Sequence, residues 1–279
     1  MEKSQIAACV ILYHPAEDDL LRDIRAISDH IGLLILWHNS PEKVNLPEDL
    51  GCERVDLGDG TNKYIAEPLN ACFRYCSEHG YKWLLTMDQD SEFEDFGSFL
   101  ESLSGYMSDD IAIYAPNVNN RYPISDSPLE IESTITSGSF CSVDKCLEIG
   151  GFRESYQIYW VDSEYCHRVH LSGKRILAFP GNNLKQKFGN LVKVHGVECF
   201  NYSPTTLYFM FRNMLWMHRE YKVNPDLKCV LYSSQLYVKG ILIGEKNKWQ
   251  KIKSVLRGTW HGLFHSYAPT IAQNSVSKK

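Results

Sequence analysis

Residues 6–12 are a continuous apolar run, IAACVIL, closed by His14-Pro15, and this predicts a buried strand. The pattern then switches to a helical period over residues 17–30. Leu20, Leu21, Ile24 and Ile27 share one face, and Glu17, Asp18 and Asp19 fill the first turn, where the helix dipole favours acids. Gly32 stops this helix and residues 33–37 predict a second strand. Strand, helix, strand is the opening of a parallel α/β sheet. A helix over residues 63–79 follows, with Ile65, Leu69, Cys72, Phe73 and Cys76 at core spacing and Gly80 as its stop. A strand over 83–87 runs directly into Asp88-Gln89-Asp90-Ser91. A helix over 95–107 and a strand over 111–114 complete a first half, residues 1–120.

Residues 115–130 are rich in Pro, Asn and Ser and predict a loop. A strand is predicted over 131–143, and a short helix begins at Asp144 and ends at Gly150-Gly151. A helix over 161–172 stops at Gly173. Two more, over 203–222 and 226–243, are separated by Asn224-Pro225. The last stretch is basic: Lys239, Lys246, Lys248, Lys251, Lys253, Arg257, Lys278 and Lys279 stand against the single acid Glu245, with Trp249, Trp260, Leu263 and Phe264 between them. Such a segment either lies on an anionic membrane surface or packs on the domain as a solvated helix.

Composition narrows the class. At 279 residues the chain is long enough for a real core, and a net charge of -5 argues against a dedicated nucleic-acid binder. The nine cysteines include no CxxC pair and read as reduced thiols in a cytoplasmic protein, mostly small core hydrophobes. No full signal peptide opens the chain, and no run of about 18 apolar residues marks a spanning helix.

Three places carry chemistry. Asp88 and Asp90 leave a strand at its C-terminal end, the edge where open α/β sheets bind ligands. Two carboxylates there suit a hard divalent cation, Mg²⁺ or Mn²⁺, although Asp90 or Ser91 would equally cap the next helix. Asp162 and Glu164 open a helix whose dipole favours ionised carboxylates, as a general base requires; Asp162 as a plain N-cap is the other reading. Tyr156, Tyr159, Trp160 and Tyr165 around them either pack sugar faces or form a core cluster. His195, beside an apolar strand, is more simply structural. No P-loop, GxSxG or HExxH is present.

In order, these blocks resemble the rhamnosyltransferase-like branch of the family 2 glycosyltransferases. Val10-Ile11-Leu12-Tyr13-His14-Pro15 resembles VVTYNP, and Trp37-His38-Asn39-Ser40 resembles the DNxS turn. Residues 62–70 (NKYIAEPLN) resemble NxGIAxALN, and residues 85–91 (LTMDQDS) resemble LxxDQDS. Thr136-Ser137-Gly138, Gly150-Gly151-Phe152 and Asp162-Ser163-Glu164-Tyr165-Cys166-His167-Arg168 resemble SG…GGFxE…DxEWCxR. Tyr208-Phe209-Met210-Phe211-Arg212-Asn213 and residues 257–263 are weaker echoes. The chain departs from the pattern at His38, where the family carries a base-contacting Asp, at Lys63 for Gly, at Glu67-Pro68, and at residues 153–156.

The resemblance implies a GT-A fold, an α/β domain with a mostly parallel central sheet over residues 1–222, with C-terminal helices and a basic extension over 223–279. Residues 1–120 would be the nucleotide-sugar half and 121–222 the acceptor half. It implies an inverting, metal-dependent hexosyl transfer from dTDP-rhamnose or a UDP-sugar to a surface glycan or lipid-linked glycan acceptor. Asp162 would be the base, with Glu164 beside it, and Asp88, Asp90 and His195 would hold the metal. Tyr13, Asn39, Asn62, Asn70, Asp88 and Gln89 would contact the nucleotide sugar, and Ser137, Gly138, Trp160, Tyr165 and Arg168 the acceptor. The resemblance implies a cytoplasmic enzyme that would visit the inner face of the cytoplasmic membrane to meet such an acceptor. The other class that fits is an inactive carbohydrate-binding or scaffold protein derived from a transferase. A sugar-1-phosphate nucleotidyltransferase fits poorly, because the loop after the first strand has no Gly-rich, Arg-bearing sequence.

Overall fold

Seven consecutive buried residues make β1 (Ile6–Leu12) an interior strand, and the sheet forms around it. The computed structural model describes residues 1–187, 191–222 and 225–265; Asn224 and residues 266–279, with Lys278 and Lys279, lie outside the described residues. The chain divides into two compact units. The first comprises Met1–Phe152 and Tyr165–Lys187, the second Arg153–Glu164 and Phe188–Lys279.

In the first unit β1 is followed by α1 (Glu17–Ser28), β2 (Leu33–His38), β3 (Glu53–Leu57), α2 (Ala66–Glu78), β4 (Trp83–Asp88), β5 (Ser91–Phe93), α3 (Phe96–Leu103), β6 (Ile111–Val118), β7 (Leu129–Glu130), β8 (Ser139–Ser142) and α4 (Val143–Glu148). Helix α5 (Val161–Leu171) begins in the second unit and ends in the first, and β9 (Arg175–Gln186) completes the sheet. The nine strands run β3-β2-β1-β4-β8-β6-β9-β5, with β7 paired to β9. Pairings β3–β2, β2–β1, β1–β4 and β6–β9 are parallel. β8 is antiparallel to both β4 and β6, so those two point the same way and the sheet is mostly parallel, as expected. The apolar stripe of α1, Leu20, Ile24 and Ile27, packs into the main core with Val10, Leu34, Leu36 and Leu85.

Several elements differ from the periodicity, each for a local reason. The predicted strand over 131–143 shrinks to β8 because a turn at Ser137-Gly138, with Gly138 at φ +78°, precedes it. The helix predicted from residue 63 starts at Ala66, since the Asn62 side chain accepts from the Tyr64 amide and Tyr64 adopts φ +60°. β6 continues to Val118, into the predicted loop. β9, which the pattern does not predict, carries Pro180-Gly181 in its middle. The register jumps there from Pro116↔Phe179 to Asn117↔Asn183, so the extra residues bulge out and the strand continues. Cys9, Cys72, Cys76, Cys141, Cys146, Cys166 and Cys199 are buried, as small core side chains.

The second unit holds the hairpin β10 (Val192–Val194) and β11 (Val197–Cys199), then α6 (Pro204–Tyr221), α7 (Leu227–Gly244) and α8 (Lys248–Phe264). Ser203 caps α6 by accepting from the Thr206 amide, with Pro204 in the first turn, and Asp226 caps α7 by accepting from the Cys229 amide. Leu207, Phe211, Met214 and Leu215 of α6 meet Val230, Ile241 and Val255 in a separate core. α8 approaches α6 through glycines: a Cβ at Gly262 would stand 2.9 Å from the Arg212 carbonyl oxygen, and one at Gly258 would fall on the Tyr208 carbonyl oxygen. Among the described residues no helix is long and apolar enough to cross a membrane.

Alanine is the better helix former by about 1 kcal/mol, so the close approach decides the sign at Gly258. Gly258→Ala is expected to destabilise the protein by about 1–3 kcal/mol, read as a lower melting midpoint by circular dichroism.

Candidate active site

The carboxyl ends of β1, β2 and β4 lie side by side. His38, last in β2, pairs with Leu12, and Asp88, last in β4, pairs with Ile11. Two strand spacings, about 10 Å, therefore separate the His38 and Asp88 positions. The chain leaving β4 is fixed by a closed ring of hydrogen bonds. The Asp88 amide donates to Ser137 Oγ at 3.0 Å, Ser137 Oγ donates to Ser91 Oγ at 2.6 Å, and Ser91 Oγ donates to Gln186 Oε1. Gln186 Nε2 then donates to Asp88 Oδ2 at 3.1 Å and, at 3.4 Å, to Asp90 Oδ1. One amide thus bridges both carboxylates. Gln186 is itself held at the end of β9, its backbone bonded at both N–H and C=O by the Asn119 side chain.

Burial at the strand end raises the Asp90 pKa, with Lys187 and Gln186 acting in the opposite direction. A pair of carboxylates turned toward one donor is an oxygen set that suits Mg²⁺ or Mn²⁺ completed by substrate oxygens. Among the described residues no group of three His, Cys, Asp or Glu side chains is placed to hold a metal ion. His195 belongs to the second unit, exposed at φ +49° in the β10–β11 turn. The acid pair is what the first unit assembles.

Other expected donor contacts are engaged within the protein. The Gln89 carboxamide clamps Tyr13, accepting from its amide at 2.7 Å and donating to its carbonyl at 2.8 Å. This ties the loop after β1 to the acid pair and leaves the Tyr13 ring exposed, edge-on to His14. Asn39 is buried. Its Oδ1 accepts from the Lys63 amide and Trp37 Nε1, and its Nδ2 donates to the Tyr64 carbonyl. Asn62 shapes the turn before α2 through the Tyr64 amide. Asn70 bonds both backbone groups of Phe152, at 2.7 and 2.8 Å, and its Oδ1 lies 2.5 Å from where a Cβ on Gly151 would be. Gly151, at φ +64°, is therefore required by this lock.

At the carboxyl ends of β2 and β3 the sheet edge opens into a cavity of about 470 Å³, lined by His38, Ser40, Glu42, Arg54, Asp56 and Gly58 among others. That is a nucleoside-sized volume at the ligand-binding edge of the sheet. His38 Nε2 stands 2.7 Å from Asp56 Oδ1, and Arg54 bonds both Asp56 oxygens. Burial alone would raise the Asp56 pKa, but the bonds from Arg54 and His38 outweigh it and hold the carboxyl below the ordinary range. His38, where the family pattern has Asp, is thus paired with a carboxylate from β3, a strand the periodicity did not reveal.

The expected acceptor residues divide in two. Ser137 and Gly138 form the buried turn of the hydrogen-bond ring. Tyr165 is buried in the first unit, its ring 4.3 Å from Phe152, and Arg168 donates to the carbonyls of Ile149 and Gly151. Both make contacts to the Gly150-Gly151-Phe152 turn. In the second unit, Trp160 is partly buried against the helical core, and Asp162 is partly exposed at the start of α5. The turn before Asp162 is strained, with Gln157, Tyr159 and Trp160 all at φ between +62° and +63°. It is held by Asn213 of α6, whose Nδ2 reaches the carbonyls of Tyr156, Ile158 and Tyr159, each at 2.8 Å, while Arg212 donates to Ser155 and Tyr156. Burial raises the Asp162 pKa, opposed by the Ser163 amide.

Glu164 is fully buried. Arg153 Nε lies 2.9 Å from its carboxylate, Tyr221 OH donates to it at 2.9 Å, and Arg153 grips Glu220 with both terminal nitrogens. Glu164 therefore anchors α5 to α6. The sequence signal for Asn213 and Arg212 was the weak block at residues 208–213; nothing in the sequence marked Gln186 or Asp56.

These anchors generate two expectations. Arg153→Met leaves Glu164 buried without its cation and is expected to lower stability by about 3–5 kcal/mol, measured by denaturant titration. Asn213→Ala strips the donor from three carbonyls and is expected to remove about 1–3 kcal/mol and to lower turnover while nucleotide affinity, by calorimetry, stays unchanged.

No family model matches the chain. Its sequence is 25% identical to the dTDP-rhamnosyl transferase RfbF of Shigella flexneri, over 93% of this chain and 96% of that one. Its fold is similar to GalNAc-T7, solved with UDP, GalNAc and Mn²⁺, at a TM-score of 0.58 and 12% identity over 78% of this chain; the match spans 49% of that longer chain. The mannosyltransferase PcManGT of Pyrobaculum calidifontis, solved with GDP-Man and Mn²⁺, gives 0.56 at 10% identity over 98% of this chain and 79% of that one. S. aureus TarS with UDP-GlcNAc gives 0.51 at 12% identity over 90% and 79%. The fold is thus that of the GT-A glycosyltransferases, and the sequence is similar to a dTDP-rhamnosyl transferase along nearly its whole length.

Proposed function

We propose that the protein transfers a deoxyhexose, rhamnose, from dTDP-rhamnose to a hydroxyl of a surface-glycan or lipid-linked glycan acceptor, with inversion at the anomeric carbon. The end-to-end relation to a dTDP-rhamnosyl transferase supports the donor. The observation that carries the chemistry is the Gln186 bridge, which keeps Asp88 and Asp90 together at the edge of the sheet. In this reading the nucleoside enters the cavity beside His38 and Asp56. Asp88 and Asp90 would hold Mg²⁺ or Mn²⁺, which, when bound, supplies charge stabilisation to the departing diphosphate. The solved relatives with Mn²⁺ are consistent with such a group.

Asp162 is assigned as the base. The acceptor oxygen forms a bond to the anomeric carbon as the bond to the diphosphate oxygen breaks, and the hydroxyl proton passes to Asp162. A positioned base contributes about 10²–10⁴ in rate. The strained turn held by Asn213 fixes where the carboxylate stands, and burial tunes it. Because a base must be ionised and its pKa is raised, activity should fall on acidification above the usual carboxylate range near 3.9.

One experiment tests both assignments. Wild type, Asp90→Ala and Asp162→Asn are melted with UDP, dTDP, GDP or CDP, with and without Mn²⁺, and assayed for transfer. A nucleotide at a hundred times its dissociation constant adds about 2.7 kcal/mol. The expected result is stabilisation by dTDP with Mn²⁺, lost in Asp90→Ala and kept in Asp162→Asn, which no longer transfers. Stabilisation by another nucleotide would replace the donor, and loss of nucleotide binding in Asp162→Asn would move that residue to the donor side.

A further inference from the structure

In α8, Trp249, Lys253, Leu256, Trp260 and Leu263 succeed one another at steps of four and three residues, which keeps them on one face of the helix. The opposite face carries Lys251, Val255, Gly258 and Gly262, all buried, and Gly258 and Gly262 make the close approach to α6. The first face is therefore directed away from the core of its unit. Its large apolar side chains are solvent-exposed: Trp249 at 88%, Leu256 at 65%, Phe264 at 64% and Trp260 at 58%. Trp260 and Phe264 lie ring to ring at 4.3 Å, forming a single apolar ridge. A ridge of this size left in water is an interaction site rather than scattered surface residues.

Its charge identifies the occupant. Lys246, Lys253 and Arg257 are exposed along the same helix and its entry. The one acid between Lys239 and His265 is Glu245, and its carboxylate is buried, 2.6 Å from Lys251 Nζ and accepting from the Asn201 amide. The ridge is thus flanked by cations with no exposed carboxylate from its own segment. Aromatic and aliphatic side chains beside uncompensated lysine and arginine match the interface of an anionic bilayer, where rings enter at headgroup depth and cations meet lipid phosphates.

We propose that the outer face of α8 docks this protein on an anionic lipid surface. The inference does not rest on the transfer reaction, and its readout is binding. The full chain is floated with vesicles of phosphatidylcholine alone, or of three parts phosphatidylcholine to one part phosphatidylglycerol. Two triple variants are compared with wild type: Lys246→Gln, Lys253→Gln, Arg257→Gln, and Trp249→Ser, Trp260→Ser, Phe264→Ser. All these side chains are exposed, so circular dichroism and melting should be unchanged. Wild type is expected to float with the anionic vesicles only, and less so as salt rises. The cation variant should lose partition on the order of a hundredfold, at about 1 kcal/mol per charge. The aromatic variant should also stay in the buffer, and brominated lipid should quench wild-type tryptophan fluorescence but not that variant's. Wild type remaining in buffer, or both variants floating as wild type does, overturns the proposal. So does sedimentation showing a wild-type dimer that both variants abolish without vesicle binding, which would make the ridge a self-interface.

Discussion

Two carboxylates one residue apart, at the end of a buried strand, repel each other. The Gln186 amide offsets this by donating to each, and Ser91, itself bonded to Ser137, holds its other end. The loop after β1 is tied to the same place through Gln89, and the Ser137-Gly138 turn through the Asp88 amide. The sheet edge is thus preorganised by neutral hydrogen-bonding groups, which hold the acids in place without cancelling their charge. A lysine at position 186 would bind the pair more strongly and compete with any cation brought by a substrate.

The second unit follows the same logic by different means. Asp162 stands after three strained positions within four residues, a conformation that persists only where the surroundings impose it. Asn213 and Arg212 impose it through backbone carbonyls, while Tyr156, Tyr159 and Trp160 pack against neighbouring side chains. Beneath it, the Arg153, Glu164 and Glu220 cluster is a buried ionic tie whose loss leaves an uncompensated charge. Stability and positioning are therefore carried by the same helix, α6.

Much of this was legible in the residues. The apolar run of β1, the amphipathic α1 and the Asp88-Gln89-Asp90 exit are local patterns, and the structure keeps them. What was not legible is long-range. β9 was hidden by Pro180-Gly181, because a bulge that absorbs a break has no periodicity of its own. Asn39, Asn70, Tyr165 and Arg168 stand in the blocks that resemble a binding site, but the polar side chains among them bond backbone in those same blocks. A polar residue in a turn shapes the turn as readily as it touches a ligand, and sequence spacing does not separate the two. Gln186 is 98 positions from Asp88, and nothing near either one announces the other.

That separation has a consequence for how the protein is made. The acid pair leaves the ribosome early, while the strand that completes its surroundings is the last of the main sheet to emerge. At about 5–20 residues per second, a gap of 98 residues is roughly 5–20 seconds of synthesis. During that interval Asp88 and Asp90 are bare acids at an unfinished sheet edge, and β6 waits for its parallel neighbour. Assembly of the site is a late, high-contact-order event, so a nascent chain halted before residue 186 carries the acids but not their arrangement.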